Sequence, residues 1–341
     1  MIIRKLLGII FCLALTLPAY AYTEHPGKDI TITPARATWT TGYFHETIIR
    51  KGLKELGYTV KAPKELGAAL FFKALSLGDV DYWPNGWFPQ YYTYTEGALK
   101  DSIAAVGYVF KAQGVQGYLV DKKHADQFNI TSLDDFKRPE VVKAFDKNGD
   151  GKADLTSCPY GWETAKSIDI HMKEYGLTDY ITTVNAAYVS AMAANIAAYK
   201  DGEAIFYYGW SPSWTVFKLK PGKDVVWINV PRNVVTSEKD TDLSRMTAET
   251  LEGAVSAPIN LGFSISDVRV CANKKFLAAN PSAAKFFELF TIDVNDLIAQ
   301  YGKLHAGEKS PKDIERHADE WITAHRTRWD AWLEQARLAA Q

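Results

Sequence analysis

GYLVD at 117–121 and DVRVCA at 267–272 decide how this chain is laid out. Both are short apolar runs, rich in β-branched residues and bounded by turn-forming or charged ones, which reads as strand. They lie far apart in sequence, and the stretch between them carries strands and helices of its own, among them a strand at 204–208 and a helix at 186–199. Such nesting predicts two lobes. The first is discontinuous, 22–115 and 262–341; the second, 116–261, is inserted into it, and two strands cross between them as a hinge.

Outward from this frame, short strand-like runs alternate with helical ones, the pattern of an α/β protein with largely parallel sheets. DITITP at 29–34 alternates as a strand. Phe44, Ile48, Ile49, Leu53 and Leu56 then recur at helical spacing until Gly57. A strand at 59–61, a helix at 66–76 and a strand at 79–82 follow, and Pro84-Asn85-Gly86 reads as a turn opening onto Trp87. Beyond 272 the chain reads as helical, with Trp321, Trp329 and Trp332 on an amphipathic tail.

The beginning of the chain reads as a targeting segment. Arg4 and Lys5 precede an apolar run at 6–17, and Ala19-Tyr20-Ala21 supplies small residues for cleavage after Ala21. A dozen apolar residues fall short of the roughly 20 that a spanning helix needs. Without Arg4 and Lys5, the 39 basic residues become 37 against 40 acidic ones. A near-neutral chain speaks against nucleic acid or an anionic membrane surface as partner. Cys158 and Cys271 are the cysteines left after residue 21; two are too few for a disulfide scaffold, and both are expected as free buried thiols, with a disulfide between them in an oxidising compartment as the alternative that spacing does not decide.

Three segments share one form, a small or turn-forming residue, then a Trp, then a helix start: NGWFP at 85–89, CPYGWET at 158–164 and YYGWSPSW at 207–214. In open α/β sheets ligands bind in the crevice at the carboxyl ends of strands, where such turns sit. Trp87, Trp162 and Trp210 are therefore candidates for an aromatic box. Any one taken singly reads better as a core residue, since buried aromatics are common, and it is the shared turn placement of all three that points to a box. A box of indoles suits a cation whose charge is spread over methyl groups and which has no N–H to donate, at about 0.5 to 2 kcal/mol per ring.

The segments QGYLVDKK at 116–123, DKNGDGKADL at 146–155, FYYGW at 206–210 and KPGKDVVW at 220–227 carry a resemblance. They are similar to the periplasmic glycine betaine/proline-betaine-binding proteins of ProU-type ABC importers. The resemblance covers nearly the whole chain beyond residue 21. It implies a type II periplasmic binding-protein fold, a monomer that closes on a betaine-type ligand in the periplasm and delivers it to an inner-membrane ABC permease. It implies cage roles for Trp87, Trp162 and Trp210, and a carboxylate held by the backbone amides of Glu163 and Thr164. Where the family pattern has a His four residues after the first Trp, this chain has Tyr91. Where it has Gly-Cys after the middle Trp, this chain has Glu163-Thr164, which leaves Cys158 without that local partner. The Glu163 side chain is expected to face solvent.

DKNGDGKAD at 146–154 places oxygen ligands at Asp146, Asn148, Asp150 and Asp154 with Gly151 at the sixth position, as a calcium loop does, yet Ser157 stands where the closing Glu belongs. A structural calcium and a polar Asx/Gly turn are the two readings. No cofactor is expected. No G-x-S-x-G, H-E-x-x-H or phosphate-cradling loop occurs, and His171, His317 and His325 fall on helical stretches as exposed or capping residues. The expected function is capture of glycine betaine, proline betaine, dimethylsulfoniopropionate or choline, not catalysis. A neutral sugar or amino acid on the same fold, and an exported hydrolase, are the alternatives.

Overall fold

The computed structural model describes residues 23–341, so the targeting segment read at 1–21 lies outside the described residues. Its centre is a seven-stranded sheet built around one unusually long strand, Ile103–Asp121. At about 3.3 Å per residue, 19 residues reach roughly 60 Å, enough to serve two lobes. The first half pairs antiparallel with Ser266–Asn273, from Ile103↔Asn273 to Gly114↔Ser266. From Val115↔Ser211 onward the same strand pairs with Phe206–Ser211, and Val225–Ile228 lies along its other edge. The change of partner thus falls between Gly114 and Val115. Two residues before it Ala112 takes a left-handed φ of 52° while its N–H donates to Asp267 Oδ1 at 2.7 Å.

One lobe crossing is made by this continuous strand, and the return is made by 261–266, which leads into Ser266–Asn273. GYLVD and DVRVCA are both strand, each wholly on its own side of the crossing.

The sheet is mixed, where the alternation of elements predicted largely parallel pairing. Tyr82–Phe88 and Ile103–Asp121 flank Ser266–Asn273 antiparallel, and only Phe206–Ser211, Ala153–Thr156 and Ile181–Val184 run parallel to one another. The physical reason lies in the long return connection, which brings Ser266–Asn273 back head-to-tail against the strand that left the first lobe. The small parallel pairs Thr31–Ile32 with Thr59–Val60 and Ala35–Arg36 with Lys64–Glu65 flank the helix Tyr43–Glu55 in sequence, as the βαβ pattern expects.

Two apolar clusters fill the protein. One joins Phe286, Phe287 and Phe290 to Trp321, Trp329 and Trp332 of the terminal helices Pro311–Ala324 and Arg326–Leu338, so the tail tryptophans are packing residues. The other runs through both lobes and includes Trp39, Trp83, Phe88 and Tyr91 from the first with Trp162, Tyr188, Tyr208 and Trp210 from the second. Cys158 and Cys271 are buried and free; burial pushes the Cys158 thiol up to about 12 and raises that of Cys271 as well. His171 and His317 are buried, contrary to the surface role expected of them: an amphipathic helix turns one face inward, and Tyr118 Oη at 2.8 Å and Gln300 Nε2 at 2.9 Å meet their Nδ1 atoms. His325 does cap its helix. No helix among the described residues is long and apolar enough to cross a membrane.

Candidate functional site

Where the second cluster reaches the cleft, Trp87, Trp162 and Trp210 line one cavity together with Trp39. Trp162 stands 5.7 Å from Trp210 and 5.0 Å from Trp39, centroid to centroid, with planes inclined at 72° and 66°. Rings set at such angles around a common space present faces from several directions, the geometry that attracts a diffuse cation. Tyr91, Thr164, Gln90, Gln116 and Tyr208 complete the wall.

The local reasons for these positions differ from the turn context read in sequence. Trp162 is the residue before the helix Glu163–Glu174, as expected. Trp210, however, lies within the strand Phe206–Ser211, and Trp87 within Tyr82–Phe88. The predicted Pro84-Asn85-Gly86 turn is instead a bulge in that edge strand: pairing slips between Arg269↔Gly86 and Cys271↔Trp83. A bulge on an edge tolerates a proline that cannot donate. Gly86 is required there, since a Cβ would stand 2.5 Å from Cys271 Sγ.

The polar wall is one connected set. Tyr208 Oη donates to Gln116 Oε1 at 2.7 Å, Thr164 Oγ1 donates to the same oxygen at 3.2 Å, and Gln90 Nε2 donates to Thr164 Oγ1 at 3.3 Å. Trp162 Nε1 donates across the cleft to Thr38 Oγ1 at 3.1 Å. Burial holds the phenols of Tyr91 and Tyr208 well above their ordinary range, so both are neutral hydroxyls. No lining residue carries a formal charge.

Glu163 lies outside this lining. Its carboxylate is neither in the cavity nor free in solvent: Tyr94 Oη donates to Oε1, Lys166 Nζ stands 3.0 Å from both oxygens, and the side chain is 12% exposed. The expectation of a solvent-facing side chain gives way because Tyr94 covers it from the opposite lobe. Trp162 offers no side-chain cap, so the first amides of the helix, those of Glu163 and Thr164, have no intrahelical acceptor.

Trp39, Gln90, Gln116 and Tyr208 were missed as wall residues. Trp39 did carry a signal, since it precedes a helix start just as Trp162 does. Gln116 and Tyr208 are placed by strand register, which no local motif reveals. Asp146, Asn148, Asp150 and Asp154 are not among the cavity-lining residues; they sit in the loop before the strand Ala153–Thr156 and at its start, and the carboxylates among them are already engaged. Asp146 accepts from the Gly149 and Gly151 amides at 2.7 and 2.9 Å, and Asp154 accepts from Lys147 N at 2.7 Å and Asn148 Nδ2 at 2.9 Å. Among the described residues no group of three acidic, His or Cys side chains is gathered for a metal.

An uncharged aromatic cavity closed between two lobes that share one strand defines a solute-binding protein of the type II periplasmic class. The chain belongs to the family described as the substrate binding domain of the ABC-type glycine betaine transport system, whose family model matches residues 30–324. It is 39% identical over 316 residues, 93% of this chain and 92% of the relative, to the glycine betaine/proline betaine-binding periplasmic protein of Escherichia coli K12. Its fold is similar to that of the glycine/betaine/L-proline-binding protein of Borrelia burgdorferi, at a TM-score of 0.68 and 16% identity, covering 91% of this chain and 100% of that one. Lactococcal OpuAC, closed on glycine betaine, superposes with a TM-score of 0.65 at 19% identity, covering 89% of this chain and 99% of that one.

Proposed function

We propose that the chain is the periplasmic, monomeric capture protein of an ABC importer and that its preferred ligand is a zwitterionic methylated onium compound, glycine betaine foremost. The observation that carries this reading is the wall of indole faces without a formal charge. A trimethylammonium group cannot donate a hydrogen bond, and it gains from ring faces what it loses in hydration. Its carboxylate then meets the amides of Glu163 and Thr164 at a helix N-terminus, which have no intrahelical acceptor, and Tyr91 lines the same cavity.

Net charge decides among the related ligands. Choline brings a positive charge into a desolvated cavity that offers no anion, whereas glycine betaine, proline betaine and dimethylsulfoniopropionate bring none. Betaines therefore rank above choline. The protein binds and releases its ligand unchanged, for presentation to an inner-membrane permease. Isothermal titration of the protein without residues 1–21 against these compounds, with glucose and glycine as controls, tests the reading. Binding of glycine betaine with silence from both controls is expected; binding of no methylated onium compound contradicts it.

A further inference from the structure

Behind Trp87, away from the cavity wall, a buried polar chain runs back into the first lobe. Trp87 Nε1 lies 2.7 Å from Asn85 Oδ1, and Asn85 Nδ2 lies 2.6 Å from His45 Nε2. We propose that Asn85 and His45 are positioning residues that fix the Trp87 indole in the binding cavity and so set the affinity for the methylated cation. The inference rests on the reading of Trp87 as one of the rings that hold that cation.

The direction of the chain follows from the chemistry of its members. An indole nitrogen only donates, so Asn85 must turn its carbonyl oxygen toward Trp87. Its amide group is then committed to His45, whose Nε2 must accept, which places the ring proton on Nδ1. Burial without a counter-charge pushes His45 down to about 3, so the ring stays neutral at neutral pH and remains an acceptor. An Asp at 85 would set a carboxylate against that acceptor, and a Leu would leave the indole N–H and the imidazole unpaired.

Two further observations separate a positioning device from ordinary packing. His45 Nδ1 is buried without a hydrogen-bond partner, a cost to stability that an apolar residue would avoid. The chain is also enclosed by glycines: a Cβ at Gly42 would stand 2.9 Å from Asn85 Nδ2, and one at Gly114 would stand 2.6 Å from Trp87 Cζ3. The indole is thus held at its nitrogen by Asn85, along its six-membered ring by the Gly114 backbone, and edge-on by Phe110 at 6.1 Å.

A double-mutant cycle read by glycine betaine titration tests the relay, because Phe at 87 has no N–H to be positioned. Asn85→Leu is expected to weaken binding about ten-fold in the native background, the scale of one buried hydrogen bond, and less than about two-fold beside Trp87→Phe. Equal losses in both backgrounds, or none in the first, overturn the proposal. The native protein supplies a readout that needs no variant to fold: ¹H–¹⁵N correlation at neutral pH is expected to show His45 neutral and protonated on Nδ1. An Nε2-protonated or doubly protonated ring overturns the relay. A native protein that binds no betaine defeats the cage reading itself, and the tautomer distinguishes that failure from failure of the relay.

Discussion

The Tyr94 hydroxyl, on the helical segment Thr93–Ala98 of the first lobe, donates to Glu163 Oε1 at the start of a helix in the second. Together with the Gln90–Thr164 and Trp162–Thr38 hydrogen bonds it ties the two lobes over the cavity. Lys166 shares the carboxylate, so losing Tyr94 leaves no bare charge. Tyr94→Phe is expected to leave folding intact and to weaken ligand binding by about three- to ten-fold, the net worth of one ordinary hydrogen bond while Lys166 still pairs the carboxylate. The loss should appear as faster release in stopped-flow tryptophan fluorescence, and an unchanged release rate would remove this contact from the closed state.

Gly114 is where the long strand changes partners and where Trp87 lies against bare backbone. A Cβ would stand 2.6 Å from the indole and 3.1 Å from Ser266 O, closer than a methyl group tolerates. Gly114→Ala is expected to push the ring toward the cavity and cut betaine affinity at least about ten-fold, the size of one displaced cation–π contact. Titration alongside thermal melting separates this from general damage; a lowered melting temperature with unchanged affinity contradicts it.

Acid should destabilise the protein through its buried histidines. Burial pushes His45 and His171 down to about 3 from an ordinary 6.5. Between those values the unfolded chain binds both protons and the native chain neither, so stability rises with pH and is lost as pH falls below 6.5. Glu46 works against them. Burial, outweighing the pull of Arg50 at 3.3 Å, lifts its carboxyl to about 7, so from 4.5 to about 7 the native chain holds one extra proton. Of these three groups, two protons less one leave the histidines ahead by one proton between 4.5 and 6.5, a contribution on the order of 1 kcal/mol per pH unit that grows below 4.5, where Glu46 no longer opposes them. Urea unfolding across this range checks it, and a flat profile contradicts it.

The loop at 146–154 satisfies its own carboxylates with backbone and side-chain N–H groups. EDTA or added calcium is therefore expected to shift the melting temperature by no more than about 1 °C, whereas a bound structural ion adds stability by mass action. A rise of several degrees with calcium would favour the metal reading of Asp146, Asn148, Asp150 and Asp154 over the polar turn.

Much of the fold was legible because local patterns carried it. The helix read from Phe44, Ile48 and Leu53 is Tyr43–Glu55, and the strand read from GYLVD is the second half of Ile103–Asp121. Pairing direction was not, because it depends on how a long connection returns Ser266–Asn273 to the sheet. At the site, Trp87, Trp162, Trp210, Tyr91 and Thr164 meet around one cavity although two of the tryptophans sit in strands rather than turns. The motif picked out three rings that line one cavity, for a local reason that holds only at Trp162. Gln116 and Tyr208 come together only because Gln116↔Trp210 and Tyr118↔Tyr208 fix the register of two strands. Asn85 was hidden for a similar reason: a sequence that reads as a turn is a bulge whose side chain reaches His45.

In the proposed binding mode, indole faces hold a positive charge that has no hydrogen to donate. Competition between glycine betaine and 3,3-dimethylbutyrate, which keeps the carboxylate and the methyl groups but replaces the nitrogen by carbon, isolates that charge. With several rings contributing about 0.5 to 2 kcal/mol each, glycine betaine is expected to bind at least about 100-fold more tightly. Equal affinities would show a site that reads shape and carboxylate alone, and would contradict cation binding by the indoles.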